Sequence, residues 1–152
     1  KPLLAAPAVV LVALSGSPSA TAPACADPGA DPGTGAAKPA GPSYSPPFVD
    51  HTEWTQWGRL SSLRVFPTTS GRASAGQPGT GVAADEAWAE VLAMSPGADT
   101  PGMRAQFVCH WQLAEFVQPG KTSWNLEPWR PVVGDAEMFG TGCNPGGPEE
   151  PF

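Results

Sequence analysis

The order of apolar and polar positions divides the 152-residue chain into three stretches. Residues 3–14 are apolar almost without interruption, within KPLLAAPAVVLVAL. Residues 15–47 have no period and are dominated by Ser, Thr, Ala, Gly and Pro. Regular patterning begins at Phe48. VDHTEWTQWGRLSSLRVFPT is rich in aromatic, Thr and Val residues. It predicts two strands over about 50–57 and 60–66, turning at Gly58 and ended by Pro67. His51, Glu53, Thr55 and Trp57 then share one face, and Thr52, Trp54 and Gln56 the other.

Residues 68–81, TTSGRASAGQPGTG, read as a loop or a frayed helix. A helix is expected from Asp85 through DEAWAEVLAMS, with acids in its first turn suiting the helix dipole. Trp88, Val91 and Leu92 form its packing stripe, and Ser95-Pro96-Gly97 stops it. Thr100 as N-cap and Pro101 at the first position open a central helix that closes at Pro119-Gly120. On a wheel of 100° per residue it has one polar stripe, Arg104, Gln112 and Glu115. Two apolar arcs flank that stripe: Met103, Phe107, Trp111 and Ala114, then Ala105, Cys109, Leu113 and Phe116. Gln106 and His110 lie between the arcs, so they should face inward. KTSWNLEPWRPVV is irregular or short extended structure, Asp135 caps a short helix DAEMFG, and NPGGPEEPF is a tail. The expected fold is a small single α+β domain with a short antiparallel sheet, about two to three helices and one disulfide.

Composition sharpens the division. The chain has 20 Pro and 18 Gly, and every Trp and Phe lies at or after Phe48. The core-forming residues are thus confined to 48–152, a length that folds alone with modest reserve. Residues 1–26 read as a partial export signal, with Lys1 followed by an apolar run too short to span a bilayer. Ala24-Cys25-Ala26 fits a small-x-small cleavage site, while Ala22-Pro23-Ala24-Cys25 loosely fits a lipid-attachment site at Cys25. Residues 27–47 read as a disordered Pro/Gly/Ala-rich tether, unable to bury enough apolar area to offset chain entropy. These features place the protein outside the cell or in its envelope.

Charge then excludes some partners. Lys1 and Lys38 balance Asp27 and Asp31, whereas from Phe48 onward twelve acids face six bases. An acidic domain without a basic cluster is a poor nucleic-acid binder. Membrane association is expected only through the signal or a lipid on Cys25. The partner is then an envelope or extracellular ligand.

Candidate chemistry is sparse. In an exported chain, Cys109 and Cys143 are expected to form a disulfide. The other reading is a reactive Cys109 thiol beside His110, but neighbouring helix residues diverge by about 100°. Cys109-His110 and the distant His51 lack zinc-ligand spacing, no calcium loop is present, and no metal or cofactor is expected. Pro119-Gly120-Lys121-Thr122 lacks the upstream Gly of a phosphate-binding loop, Glu115 standing in its place. No GxSxG, HExxH or GxGxxG occurs. What remains is His51, Glu53, Arg64, Gln106, His110, Glu127 and Arg130. Glu53 and Glu127 are the carboxylates a glycosidase would use. His110 with Glu127 or Arg130 is the catalytic alternative to His110 as a hydrogen-bonded core residue. Glu127 and Arg130 can instead pair around Pro128-Trp129. Gln106, Trp124 and Trp129 are the binding candidates, with core packing the stronger reading for the tryptophans.

SSLRVFPTTSGR (61–72), AWAEVL (87–92), DTPGMRAQFVCHWQLAE (99–115), GKTSWNLEPWRP (120–131) and GCNPGGPEEPF (142–152) resemble an actinobacterial family of secreted proteins, domain of unknown function 2599. The resemblance spans about 48–152 and implies export and a Cys109–Cys143 pair. It brings no activity, cofactor or catalytic residue. The functional expectation is a non-enzymatic binding or interaction module. The alternative is a small secreted hydrolase or toxin-like effector built on His110.

Overall fold

A hairpin carries the sheet. Strand β1 (Val49–Trp57) pairs antiparallel with β2 (Leu60–Pro67) through a two-residue turn, Gly58-Arg59. Gly58 has φ 62, the left-handed conformation that tight hairpin turns require. The computed structural model describes residues 44–148. The stretch read as an export signal, Cys25, residues 27–43 of the stretch read as a tether, and residues 149–152 lie outside the described residues. The chain partitions into Lys1–Lys38 and Pro39–Phe152, and only the second unit contributes described residues. Residues 45–47, read as tether, are tied to the hairpin's exit: Ser70 Oγ donates to Ser45 O and Thr68 Oγ1 to Pro47 O.

A third strand, β3 (Trp124–Leu126), pairs antiparallel with β2 to give the order β1-β2-β3. It is where the extended reading of KTSWNLEP falls. Leu63, Val65, Trp124 and Leu126 share the inner face and are fully buried. His51, Glu53, Arg64 and Asn125 share the opposite face, where His51 stacks on Phe66 at 4.1 Å.

Among the described residues four α-helices complete the fold. Helix α1 (Thr69–Ser74) resolves the loop-or-helix ambiguity because Thr68 Oγ1 accepts from Gly71 N. Helix α2 (Gly81–Met94) starts one turn before the expected Asp85, after Thr80. Asp85 therefore leaves the first turn and pairs with Arg104 instead. Helix α3 (Met103–Val117) starts later than expected, capped by Gly102 rather than Thr100. The cause is local. Thr100-Pro101-Gly102-Met103 closes a turn, with Met103 N on Thr100 O and Gly102 at φ 86. Pro followed by a left-handed Gly marks a type II turn, which holds Pro101 out of the helix. Helix α4 (Asp135–Gly140) is the short helix read from DAEMFG.

The inner sheet face packs on α2 and α3 through rings. Phe107 lies 5.5–6.2 Å from Trp88, Trp111 and Trp124, and Phe48 meets Trp111 edge-on at 5.7 Å. Each such side chain contributes roughly 1.5–3 kcal/mol by burial. Trp88 and Val91 of the α2 stripe are buried as expected. Phe116 is not: the core ends at Ala114, and Phe116 lies over Gly76 with 70% of its surface exposed. A smaller cluster, Cys109, Met138 and Cys143, joins α3 to α4. Cys109 and Cys143 form the disulfide, 34 residues apart, a closure that stabilises by about 4 kcal/mol on the chain-entropy estimate.

Candidate functional site

Strand β3 has β2 on one side only, so its other edge carries backbone groups that need partners. Helix α3 supplies them. Gln106 Nε2 donates to Glu127 O at 2.9 Å, and Gln106 Oε1 accepts from Glu127 N at 2.9 Å. One turn on, His110 Nε2 donates to Asn125 O at 3.1 Å. The spacing explains the pairing. Four helical residues rise about 6 Å, and two strand residues span about 6.6 Å. Side chains at i and i+4 of the helix thus reach alternate residues of the strand. The inward Gln106 and His110 take the place of a fourth strand.

Glu127 and Arg130 follow directly. Arg130 Nε donates to Glu127 Oε2 at 2.6 Å, and Ser62 Oγ donates to Glu127 Oε1 at 3.0 Å. Both ionic side chains are fully buried. The rest of the guanidinium donates to Pro145 O, Gly147 O and Pro148 O. Its Cζ lies 4.6 Å from the centre of the Trp129 ring, and Trp129 Nε1 donates to Ser61 O. The pair therefore joins the sheet to residues 145–148. A buried ion pair is tolerated when its remaining donors and acceptors are bonded in this way.

His110 also lines a cavity of about 170 Å³, with Leu113, Val117, Lys121, Cys143 and Asn144. Burial and the Lys121 charge push the imidazole pKa from 6.5 to about 3, with Arg130 adding to the shift and the Asn125 bond opposing it. The ring is neutral at ordinary pH. With Nε2–H given to Asn125, Nδ1 is left as a lone-pair acceptor. The ring as a whole lines the cavity, and Nδ1 is the nitrogen that the bond to Asn125 does not use.

The sequence-derived candidates thus separate. Gln106, His110, Glu127 and Arg130 come together around β3, but Glu127 and Arg130 do not line the His110 cavity. Trp124 is fully buried core, and Trp129 is a half-buried cover on Arg130. Glu53 is exposed on the far sheet face, 4.0 Å from Arg64, whereas Glu127 is sealed. The two carboxylates of the glycosidase reading do not share a cleft among the described residues. Sequence reasoning missed Lys121 and Asn144 as cavity residues. Leu113, Ala114 and Val117 were accessible to it, lying three, four and seven residues from His110 on one helix face. Two larger hollows, of about 430 and 500 Å³, flank Arg104 and Val108 of α3. Among the described residues no group of three or more His, Cys, Asp or Glu is placed to hold a metal ion.

Residues 49–146 match a family model described as protein of unknown function (DUF2599), and the chain belongs to this family. Uncharacterised proteins of Mycobacterium bovis and Mycobacterium tuberculosis are each 63% identical to it over 152 residues, covering all of this chain and 99% of their own. One from Mycobacterium leprae is 59% identical over 108 residues, 71% of this chain and 87% of its own. No solved structure matches the chain.

Proposed function

We propose that this protein is a non-enzymatic binding module of the cell envelope or extracellular space, and that it holds a small ligand in the cavity floored by His110. The observation that carries this reading is the division of labour in the His110 ring. One nitrogen is fixed to the backbone of β3, and the ring lines a cavity walled by Leu113, Val117 and the disulfide. A ring held neutral and fixed by its helix is a preformed acceptor, the kind of polar group that orients a ligand in a mostly apolar site. The hydrolase alternative has less support. Glu127 is bonded to Ser62 and Arg130, and Arg130 to backbone carbonyls, so neither has a free group to give His110.

The test is a small-molecule screen on the full chain by ¹H–¹⁵N correlation spectra, alongside ester, peptide and glycoside reporter substrates. Shifts at residues 110–121 and 142–144 without turnover are expected. Turnover that His110→Gln abolishes would overturn the binding reading, as would ligands that perturb only distant residues.

A further inference from the structure

We infer that the outer edge of β1 is a self-association surface, on which a second copy of this chain lays its own β1 antiparallel and continues the sheet. The surface stands apart from the His110 cavity. Among the described residues β1 pairs only with β2. Trp57 and Leu60 flank the two-residue turn, so they form the first bonded pair, and bonded pairs recur at every second residue. His51, Glu53, Thr55 and Trp57 therefore bond to β2, while Thr52, Trp54 and Gln56 turn their N–H and C=O groups away from it. Among the described residues these outward groups have no protein partner. Helix α2 closes only the start of the strand, where Glu90 Oε2 accepts from Phe48 N at 2.8 Å and Val49 N at 2.7 Å. Natural sheets blunt an open edge with Lys, Pro or a bulge. Residues 51–57, HTEWTQW, contain neither Lys nor Pro, and the irregularity in the pairing lies before them, between Val49 and His51. Trp54, in the middle of this edge, is 42% exposed.

The register selects the occupant. Two copies of β1 centred on Trp54 set Trp54 against Trp54 and Thr52 against Gln56 in both directions. All three outward residues are then used, and each facing pair exchanges two bonds. Glu53, the acid of this segment, faces Thr55, so no carboxylates oppose one another. The facing Trp54 rings supply an aromatic cross-strand contact. Centring on Glu53 instead would oppose two carboxylates at about 4.5 Å between Cα atoms. Centring on Thr55 would set Thr52 against Gly58, which belongs to the turn. The strand is thus self-complementary in one register. At one hydrogen bond per 100–200 Å², about six bonds correspond to roughly 600–1,200 Å². That is below a standard interface, and the dimer is weak, with Kd from about 10 µM to 1 mM. Each chain carries a net charge of -6, so the copies repel and salt tightens the dimer.

Sedimentation velocity on the full chain, from about 5 µM to 1 mM, should show reversible dimer that tightens with added salt. The amides of Thr52, Trp54 and Gln56 should exchange at least about twofold more slowly at the highest concentration than at the lowest. Gln56→Pro removes an outward N–H and no bond to β2, a place where an edge strand tolerates proline. It should weaken the dimer at least about tenfold. Trp54→Lys sets two ammonium groups face to face and should weaken it by at least as much, although it lowers the net charge that opposes association. Both variants should keep the circular-dichroism spectrum of the native fold. A monomer at every concentration, a dimer that survives both variants, or unchanged exchange at these three amides would overturn the inference. If the chain stays monomeric and the three amides shift only with an alternating Lys-Val hexapeptide, the edge takes a cationic strand and the second copy is excluded.

Discussion

Replacing Gln106 by Met tests whether α3 seals the sheet. The substitution keeps length and apolar volume, so it leaves no cavity of consequence. It removes both 2.9 Å bonds to the backbone of Glu127. Gln106 is 1% exposed and Glu127 fully buried, so water cannot easily replace them. Each unsatisfied buried group costs about 1–3 kcal/mol, and two give about 2–6 kcal/mol. For a folded part near 100 residues, 1 kcal/mol is worth about 4–8 °C. A fall of at least about 10 °C in melting temperature is expected by calorimetry. Urea unfolding should show a lower midpoint at an unchanged slope. Gln112→Met is the control, since Gln112 lies on the exposed face of the same helix. Exposed substitutions of that kind stay within about 0.5 kcal/mol. A shift for Gln106→Met no larger than the control's would refute the edge-sealing role.

Two further outcomes follow. Cys143→Ser should destabilise the oxidised protein by about 3–4 kcal/mol, read as a lower denaturant midpoint; equal midpoints with and without reductant would show that the Cys109–Cys143 bond contributes nothing. His110→Gln keeps an N–H for Asn125 O but does not titrate. The native imidazole has its pKa lowered from 6.5 to about 3, so between those values the unfolded chain binds more protons than the folded one. This contribution is complete above pH 6.5 and is lost at about 1.4 kcal/mol per unit as pH falls through the window. Between pH 6.5 and 4.5 the native protein should therefore lose about 2–3 kcal/mol more than His110→Gln. Parallel stability profiles would count against a neutral, buried His110.

What was legible in the sequence was periodic or local. The hairpin showed through Gly58 and its flanking β-rich runs. The inward stripe showed because Gln106 and His110 are one turn apart between apolar arcs. Glu127 and Arg130 are three residues apart, and their pairing needs only a local turn. The failures have equally specific causes. Helix α3 begins late because Pro101-Gly102 satisfies a type II turn as well as a helix start, and φ 86 at Gly102 decides between them. Strand β3 has three residues, too few for a period, and exists through pairing with Leu63–Val65. Ser62 meets Glu127 across 65 residues, a contact no local pattern encodes. Phe116 satisfies the helical spacing of the core but lies beyond the last layer that covers it.

The claim on which the binding reading depends is that His110 is a neutral ring fixed through Nε2, with Nδ1 unprotonated and left for a ligand. Long-range ¹H–¹⁵N spectra of the imidazole, recorded from pH 8 to 4.5 on the full chain, measure this directly. The account expects the Nε2–H tautomer throughout, with Nδ1 at the shift of an unprotonated nitrogen and no titration in that range. An Nδ1–H tautomer, or a midpoint between pH 6 and 7, would contradict it.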